Sequence, residues 1–200
     1  MEHFNSDMKN ILLLIMLILP FSVMAQDDMY GTSYHPKAKI NYDKVDSDGS
    51  REICSRYKFF AKMSDEGRIA YAVSQNVVMN DTLTNLEVYI VSPFKLMVRI
   101  GMKFLLKTRK GTTFMLMCNE NDEDPISDLS DTYKLNISYR IPKDKIEIIR
   151  EEGLAKVRIE TGVRNFDKEY KNNVAGEYIT ACFDLVSSEM RKPKNFTDGF

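Results

Sequence analysis

Six basic residues, Lys95, Arg99, Lys103, Lys107, Arg109 and Lys110, fall within sixteen positions and are interleaved with Phe94, Phe104 and Phe114. Cations spaced among aromatic rings can dock an anionic polymer, a lipid head group or an acidic protein. The bland role of the same residues is to guard a strand edge and keep a turn polar, since charged side chains on an edge discourage pairing with another chain. Within this cluster, Lys103, Lys107, Arg109 and Lys110 are the candidate binding residues. Directly after it comes an acidic run, NENDEDPISDLSD, over residues 119–131. Asp122, Glu123 and Asp124 are its candidate metal ligands, because hard cations want clustered carboxylate oxygens. The regular spacing, the Gly and the closing Glu of an EF-hand loop are missing, and a solvated acidic loop is the more ordinary reading.

Other chemistry is scarce. The chain holds two histidines, His3 and His35, and no Trp. Zinc sites draw on several His and Cys at close spacing, whereas Cys54, Cys118 and Cys182 stand about sixty residues apart. A nucleophilic mechanism needs a base beside the nucleophile, and His35 sits in a polar stretch next to Pro36. No G-x-S-x-G, H-E-x-x-H or phosphate-cradling glycine loop occurs. Carboxylate-based hydrolysis requires only two acids that meet in space, and nothing in the sequence nominates a pair. No catalytic residue and no cofactor are expected. The odd number of cysteines allows one disulfide within the chain at most, and spacing does not say which pair.

A destination is easier to read than a chemistry. Residues 8–26, MKNILLLIMLILPFSVMAQ, place a Lys before an apolar run, a Pro within it, and Val23-Met24-Ala25 at its end. This is the tripartite pattern of a secretory signal, with cleavage expected after Ala25. The run from Ile11 to Ala25 is 15 residues, short of the roughly 20 that a spanning helix needs. Removal of residues 1–25 leaves a formally neutral chain whose one histidine is His35. That balance gives no field for nucleic acid, so no nucleic-acid partner is expected. Nor is a stable membrane span after cleavage.

The elements that must position any site follow from periodicity. The expected organisation is a signal at 1–25, a flexible leader at 26–50, one α+β domain at 51–190 and a loose tail at 191–200. Two apolar runs, Met102–Leu106 and Phe114–Cys118, flank Lys107–Gly111 and predict a β-hairpin. The second run is apolar throughout, which places it at the middle of a sheet with both faces covered. A short strand is expected from Lys39 to Tyr42; Ile53–Met63 and Arg68–Val78 form a second hairpin about Ser64–Gly67, followed by a strand at Leu86–Val91 and by Phe94–Ile100, which leads through Gly101 into the central hairpin. Tyr133–Ile141 alternates strictly, as a half-exposed antiparallel strand does. Pro142 suits the first position of a short helix near 142–152 that Gly153 stops. Val174, Tyr178, Ala181, Cys182, Leu185 and Met190 form one stripe of an amphipathic helix near 172–190. The fold class is therefore α+β, a mostly antiparallel sheet with two helices.

The signal ending in Ala-Gln, the GMKFLLKT hairpin, the segment YRIPKDKIEIIREEGLAKVRIET at Tyr139–Thr161 and a closing helix together resemble small exported proteins of Bacteroidota, a domain of unknown function. The resemblance implies export and an α+β outline, and it carries over no active site. The function expected is a non-enzymatic binding or interaction module of the cell envelope, periplasmic or secreted, with a protein or envelope component as partner. The alternatives are a small envelope hydrolase using carboxylates, or a carrier of an apolar ligand among the many Met and Phe side chains.

Overall fold

A computed structural model describes residues 37–60, 67–78, 81–119, 126–127 and 132–194. Residues 1–36, with the signal at 1–25 and His35, and the acidic positions 120–125 and 128–131 lie outside the described residues. The elements in chain order are β1 (Ile40–Val45), β2 (Arg51–Ser55), β3 (Lys58–Phe59), β4 (Arg68–Val78), β5 (Asp81–Ser92), β6 (Lys103–Thr108), β7 (Thr113–Met117), β8 (Ile126–Ser127) and β9 (Tyr133–Arg140). Helix α1 (Lys143–Glu152), β10 (Leu154–Ile159), β11 (Phe166–Glu169) and helix α2 (Val174–Met190) complete the chain. All ladders are antiparallel. A seven-stranded sheet runs β1-β2-β4-β5-β9-β8 with β3 also on β4, and a four-stranded sheet runs β11-β10-β6-β7. This is the expected α+β class.

The two sheets enclose one core. From the large sheet come Ile69, Tyr71, Val73, Leu86, Val88, Ile90, Leu135, Ile137 and Tyr139; from the small one Phe104, Leu106, Leu116, Val157 and Ile159. Phe104 lies between two tyrosines of the opposite sheet, stacked on Tyr71 at 6.5 Å and tilted against Tyr139 at 4.9 Å between ring centroids. Such pairs add about 0.5–1.5 kcal/mol to the burial of their area. The Tyr71 hydroxyl meets that of Tyr170 at 2.6 Å, so this buried polar end has its partner. Helix α2 covers the part of the large sheet that the small one leaves open, lying against β4, β2 and α1.

Several sequence expectations change. The run at 114–118 is not central: β7 is the end strand of the small sheet, joined to the large one by a single bridge, Cys118 to Tyr139. Met115 and Met117 are 56% and 43% exposed while Leu116 and Cys118 are buried, so the strand alternates in burial though not in residue type. Apolar atoms make up more than half of any folded surface, which is why an all-apolar run misleads. The strand covered on both faces is β4. Its second face carries Ala70 and Ala72, small enough for Phe59 and Tyr89 to meet across Ala70 at 5.9 Å.

Ile53–Met63 divides into β2 and β3 and is not one strand. Residues 94–100, which lead into the hairpin of β6 and β7, are irregular and bury Leu96 and Val98. The short strand expected from Lys39 to Tyr42 is present and longer, as β1 (Ile40–Val45), paired antiparallel with β2 with a register shift between Ile40 and Tyr42, so this part of the expected leader belongs to the sheet. Pro142 caps α1 instead of entering its first turn. On α2 the buried face is Ala175, Tyr178, Ile179, Cys182, Phe183 and Val186, so the expected stripe keeps only Tyr178 and Cys182. With apolar residues around most of that helix, its periodicity alone did not select a face.

Two glycines are required by backbone geometry. Gly153 ends α1 at φ +70, donating to the Ile149 carbonyl at 2.9 Å. Gly67 opens β4 at φ +107, and a Cβ there would stand 2.3 Å from the Val91 carbonyl oxygen. L-residues avoid that region of φ, so neither site accepts a side chain without strain.

The start of the expected loose tail is tied down. Arg51 forks onto Asp43 at 3.0 Å through Nε and 3.0 Å through Nη2. The same guanidinium donates to the carbonyls of Glu189 and Met190 at the end of α2 and of Lys192 just beyond it, where helix carbonyls run out of intrahelical donors. Lys194 Nζ donates to the Asp43 backbone oxygen at 2.6 Å and reaches its carboxylate at 3.1 Å. Burial works to raise the Asp43 carboxyl, but hydrogen bonds from Arg51 and then Lys194 outweigh it and hold it below its usual value. A depressed folded value gives stability that is present above the unfolded value, about 3.9, and lost as pH falls through the folded one. Asp43→Asn is therefore expected to lower unfolding free energy by about 1.5–3 kcal/mol at pH 7, the range for hydrogen bonds to charged groups. Urea unfolding should show that deficit shrinking near pH 3; a deficit unchanged by acid would remove Asp43 from this role.

Candidate functional site

On the large sheet, the face opposite the core builds a cavity of about 550 Å³. Antiparallel register decides what meets there, because directly paired residues share a face. One row reads Tyr42, Cys54, Ser74, Asn85 and Arg140, from β1 to β9. The next reads Ala72, Glu87 and Ser138, and the one below it Phe59, Ala70, Tyr89 and Asn136. Large side chains stand at the margins and small or polar ones at the middle, which leaves a hollow. Its lining includes Tyr42, Glu52, Cys54, Tyr57, Ser74, Asn76, Asn85, Glu87, Asn136 and Ser138, with Asp46, Ser50 and Arg51 at the β1–β2 end.

The floor is a hydrogen-bonded carboxylate. Ser74 Oγ donates to Glu87 Oε1 at 2.6 Å, and Ser138 Oγ donates to the same oxygen at 3.1 Å. Asn85 Nδ2 reaches Ser74 Oγ at 3.5 Å. At one wall the Tyr42 hydroxyl donates to Glu52 Oε1 at 2.6 Å; at another the Tyr57 hydroxyl donates to Asn136 Oδ1 at 2.8 Å. Burial, then the Glu52 hydrogen bond, raises the Tyr42 hydroxyl well above its ordinary value, so it stays a donor. Burial and then the Glu87 charge raise Tyr57 likewise. Asn76 Oδ1 is buried without a partner among the described residues. A buried acceptor left so costs about 1–3 kcal/mol.

Cys54 lies in the same wall, 2% exposed. Burial first, then the Glu87 carboxylate, pushes its thiol up to about 12. A nucleophilic cysteine needs the opposite shift, so burial and the nearby carboxylate both work against thiolate formation here. Burial also raises Cys182, and all three cysteines are free and buried.

The sequence-derived candidates fall elsewhere. Lys103, Lys107, Arg109 and Lys110 sit on the small sheet's hairpin, and the structure does not gather them into one pocket. Lys103 reaches Glu160 at 3.8 Å. Arg109 donates to the carbonyls of Tyr170 at 3.5 Å and Lys171 at 3.3 Å. Lys107 and Arg109 border a smaller hollow of about 350 Å³ with Lys156, Glu169 and Tyr170. Lys107 is directly opposite Lys156, whose ammonium is held by Glu169 at 2.8 Å. Lys110 lies near Glu152, whose carboxyl is held below its usual value by Thr112, then Thr108, and last by that lysine. Acids of α1 and β11, and Glu160 just past the end of β10, thus stand among the bases of the hairpin. Asp122, Glu123 and Asp124 lie outside the described residues. Among the described residues no three His, Cys, Asp or Glu side chains group as for a metal, and no helix is long and apolar enough to cross a membrane.

Sequence reasoning missed the cavity because its residues come from five strands and none has a motif. The one local signal is polar residues within apolar strands: Ser74-Gln75-Asn76 in β4 and Glu87 in β5. Fold and site together define a two-sheet α+β domain with a polar cavity on its outer face. No protein-family model matches the chain, and neither curated proteins nor solved structures give a match.

Burial of the three thiols has a direct chemical readout. At pH 8 the folded protein is expected to resist iodoacetamide at all three cysteines, and the unfolded chain to take up three equivalents. Rapid labelling of Cys54 in the folded state would contradict its burial.

Proposed function

We propose that this chain is an exported binding module of the cell envelope, released by cleavage after Ala25, whose ligand occupies the outer-face cavity. The observation that carries the binding part is the cavity floor, where Glu87 is fixed by two serine hydroxyls beneath open space. Fixed polar groups at the base of a concave site orient a ligand at little cost in ordering. Export rests on the pattern of residues 8–26. The raised Cys54 thiol favours binding over covalent turnover. The test is a native mass spectrum of the protein purified from the envelope of its own host, beside the Glu87→Gln variant. A chain lacking residues 1–25 that carries an extra mass, with that mass lost in Glu87→Gln, is the expected result. A chain retaining residues 1–25 in the cytoplasm would overturn export, and a bound mass indifferent to Glu87 would overturn the site.

One observation favours a second reading. Glu52 and Glu87 line the same cavity, and two carboxylates flanking a bond are the machinery of many glycoside hydrolases. On this reading, hydrolysis of a glycan substrate falls by at least about 100-fold in Glu52→Gln and Glu87→Gln alike, as loss of a general acid or base does. Activity that survives both substitutions would exclude it.

A further inference from the structure

We infer that a second cavity, on the opposite face of the large sheet, binds an anionic sugar, its charged group between Lys143 and Arg191 and its hydroxyls on Gln75, Thr84 and Ser187. This site is separate from the outer-face cavity and does not depend on it. Register builds its floor. Ile69, Tyr71 and Val73 point into the core at period two, and the next position in that row is Gln75, directly opposite Thr84. The apolar face of β4 and β5 thus turns polar beyond the core, and a cavity of about 710 Å³ opens there between the sheet, α1 and α2. Small-molecule sites span about 300–1,000 Å³.

Hydrogen bonding is the first ground. Gln75 is 4% exposed, and its amide nitrogen donates to Thr84 Oγ1 at 3.0 Å and to Ser187 Oγ at 2.9 Å. Each hydroxyl accepts from the amide and keeps its own O–H to donate, and neither finds an acceptor among the described residues. The Gln75 amide oxygen finds no donor among them and stays open to solvent in the cavity lining. A ligand that satisfies this floor must accept and donate at neighbouring atoms, as sugar hydroxyls do.

Charge is the second ground. Lys143 and Arg191 line the same cavity, and neither has an ion pair among the described residues. The acids around them are held by other bases. Glu147 and Asp184, also in the lining, share the Arg150 guanidinium at 2.9 Å and 2.8 Å. Asp144 is held by Lys145 at 3.1 Å and Glu189 by Lys192 at 2.6 Å. An anion that enters therefore meets two uncommitted cations. Lys143 also opens α1, whose N-cap Pro142 supplies no capping side chain, so the positive end of that helix adds to the attraction.

The remaining wall is apolar, from Phe183 and Met190 of α2, and suits the C–H face of a sugar ring. Cations on one side, hydroxyls below and an apolar wall together fit a polyol that carries one anionic group. Sugar acids and sugar phosphates share that chemistry.

The probes are glucuronate and glucose 6-phosphate, titrated calorimetrically at low salt into the full chain and its variants. Glucose controls for hydroxyls without charge, and acetate and inorganic phosphate for charge without hydroxyls. Saturable binding of at least one anionic sugar is expected, at least about tenfold tighter than any control. The tighter of the two probes identifies the anionic group as carboxylate or phosphate. Lys143→Met and Arg191→Met should each weaken binding at least about tenfold, and Glu147→Gln should strengthen it. Circular dichroism checks that each variant folds, and the gain in Glu147→Gln is one that misfolding cannot imitate. Controls that bind as tightly as the anionic sugars would overturn the inference, as would equal binding in wild type and both Met variants. Binding lost in Glu87→Gln but kept in Lys143→Met would place the ligand in the outer-face cavity and overturn this site. Binding of neither anionic sugar would overturn it outright.

Discussion

Everything in this fold depends on the register between β4 and β5, which holds without a break from Arg68 against Val91 to Val78 against Asp81. Side chains alternate at period two, so a slip of one residue would carry Leu86, Val88 and Ile90 out of the core and drive Asn85, Glu87 and Tyr89 into it. Burying the Glu87 carboxylate among Phe104 and its neighbours would be prohibitive unless the group were neutralised. The hairpin is fixed by hydrophobic burial on one side and by the cost of burying polar groups on the other. The small sheet and α2 close over the apolar side, while β1, β2, β3 and β9 extend the polar side into a hollow.

That arrangement separates stability from recognition. On the inner side, Tyr71, Phe104 and Tyr139 join the two sheets in one aromatic contact, and the Tyr71 hydroxyl is satisfied by Tyr170. On the outer side, Ser74 leaves room where a larger side chain would fill the hollow. Small residues on a central strand thus have a double effect: Ala70 lets Phe59 and Tyr89 meet, and further along, the missing bulk becomes cavity. The Arg51 guanidinium ties the closing helix to the first hairpin, so its charge serves the fold.

Much of this outline was legible in the sequence. The strict alternation of Tyr133–Ile141 placed β9, and Pro142 and Gly153 bounded α1, because these signals are local. The exposure of Met115 and Met117 was not legible, since a methionine on a solvent face reads like one in a core. The buried face of α2 was hidden for a related reason: Val174–Val186 is apolar nearly all round, and only packing selects the side. The cavity was the least legible feature. Glu52, Glu87, Asn76 and Ser138 come from different strands, and they meet only through long-range register. The basic cluster, compact along the chain, is dispersed in space among Glu152, Glu160 and Glu169.

The division of β5 into an inner and an outer face can be tested by equilibrium unfolding of two adjacent substitutions, Leu86→Ala and Glu87→Gln. Leu86 is fully buried in the core, and its truncation is expected to lower stability by about 2–5 kcal/mol. Glu87→Gln keeps the side chain's shape and an oxygen to accept from Ser74 and Ser138, and is expected to cost about 1 kcal/mol, less than the Leu86 truncation. Equal losses at both positions would contradict the division, because Glu87 would then be a structural group in a covered layer and not the floor of a binding cavity.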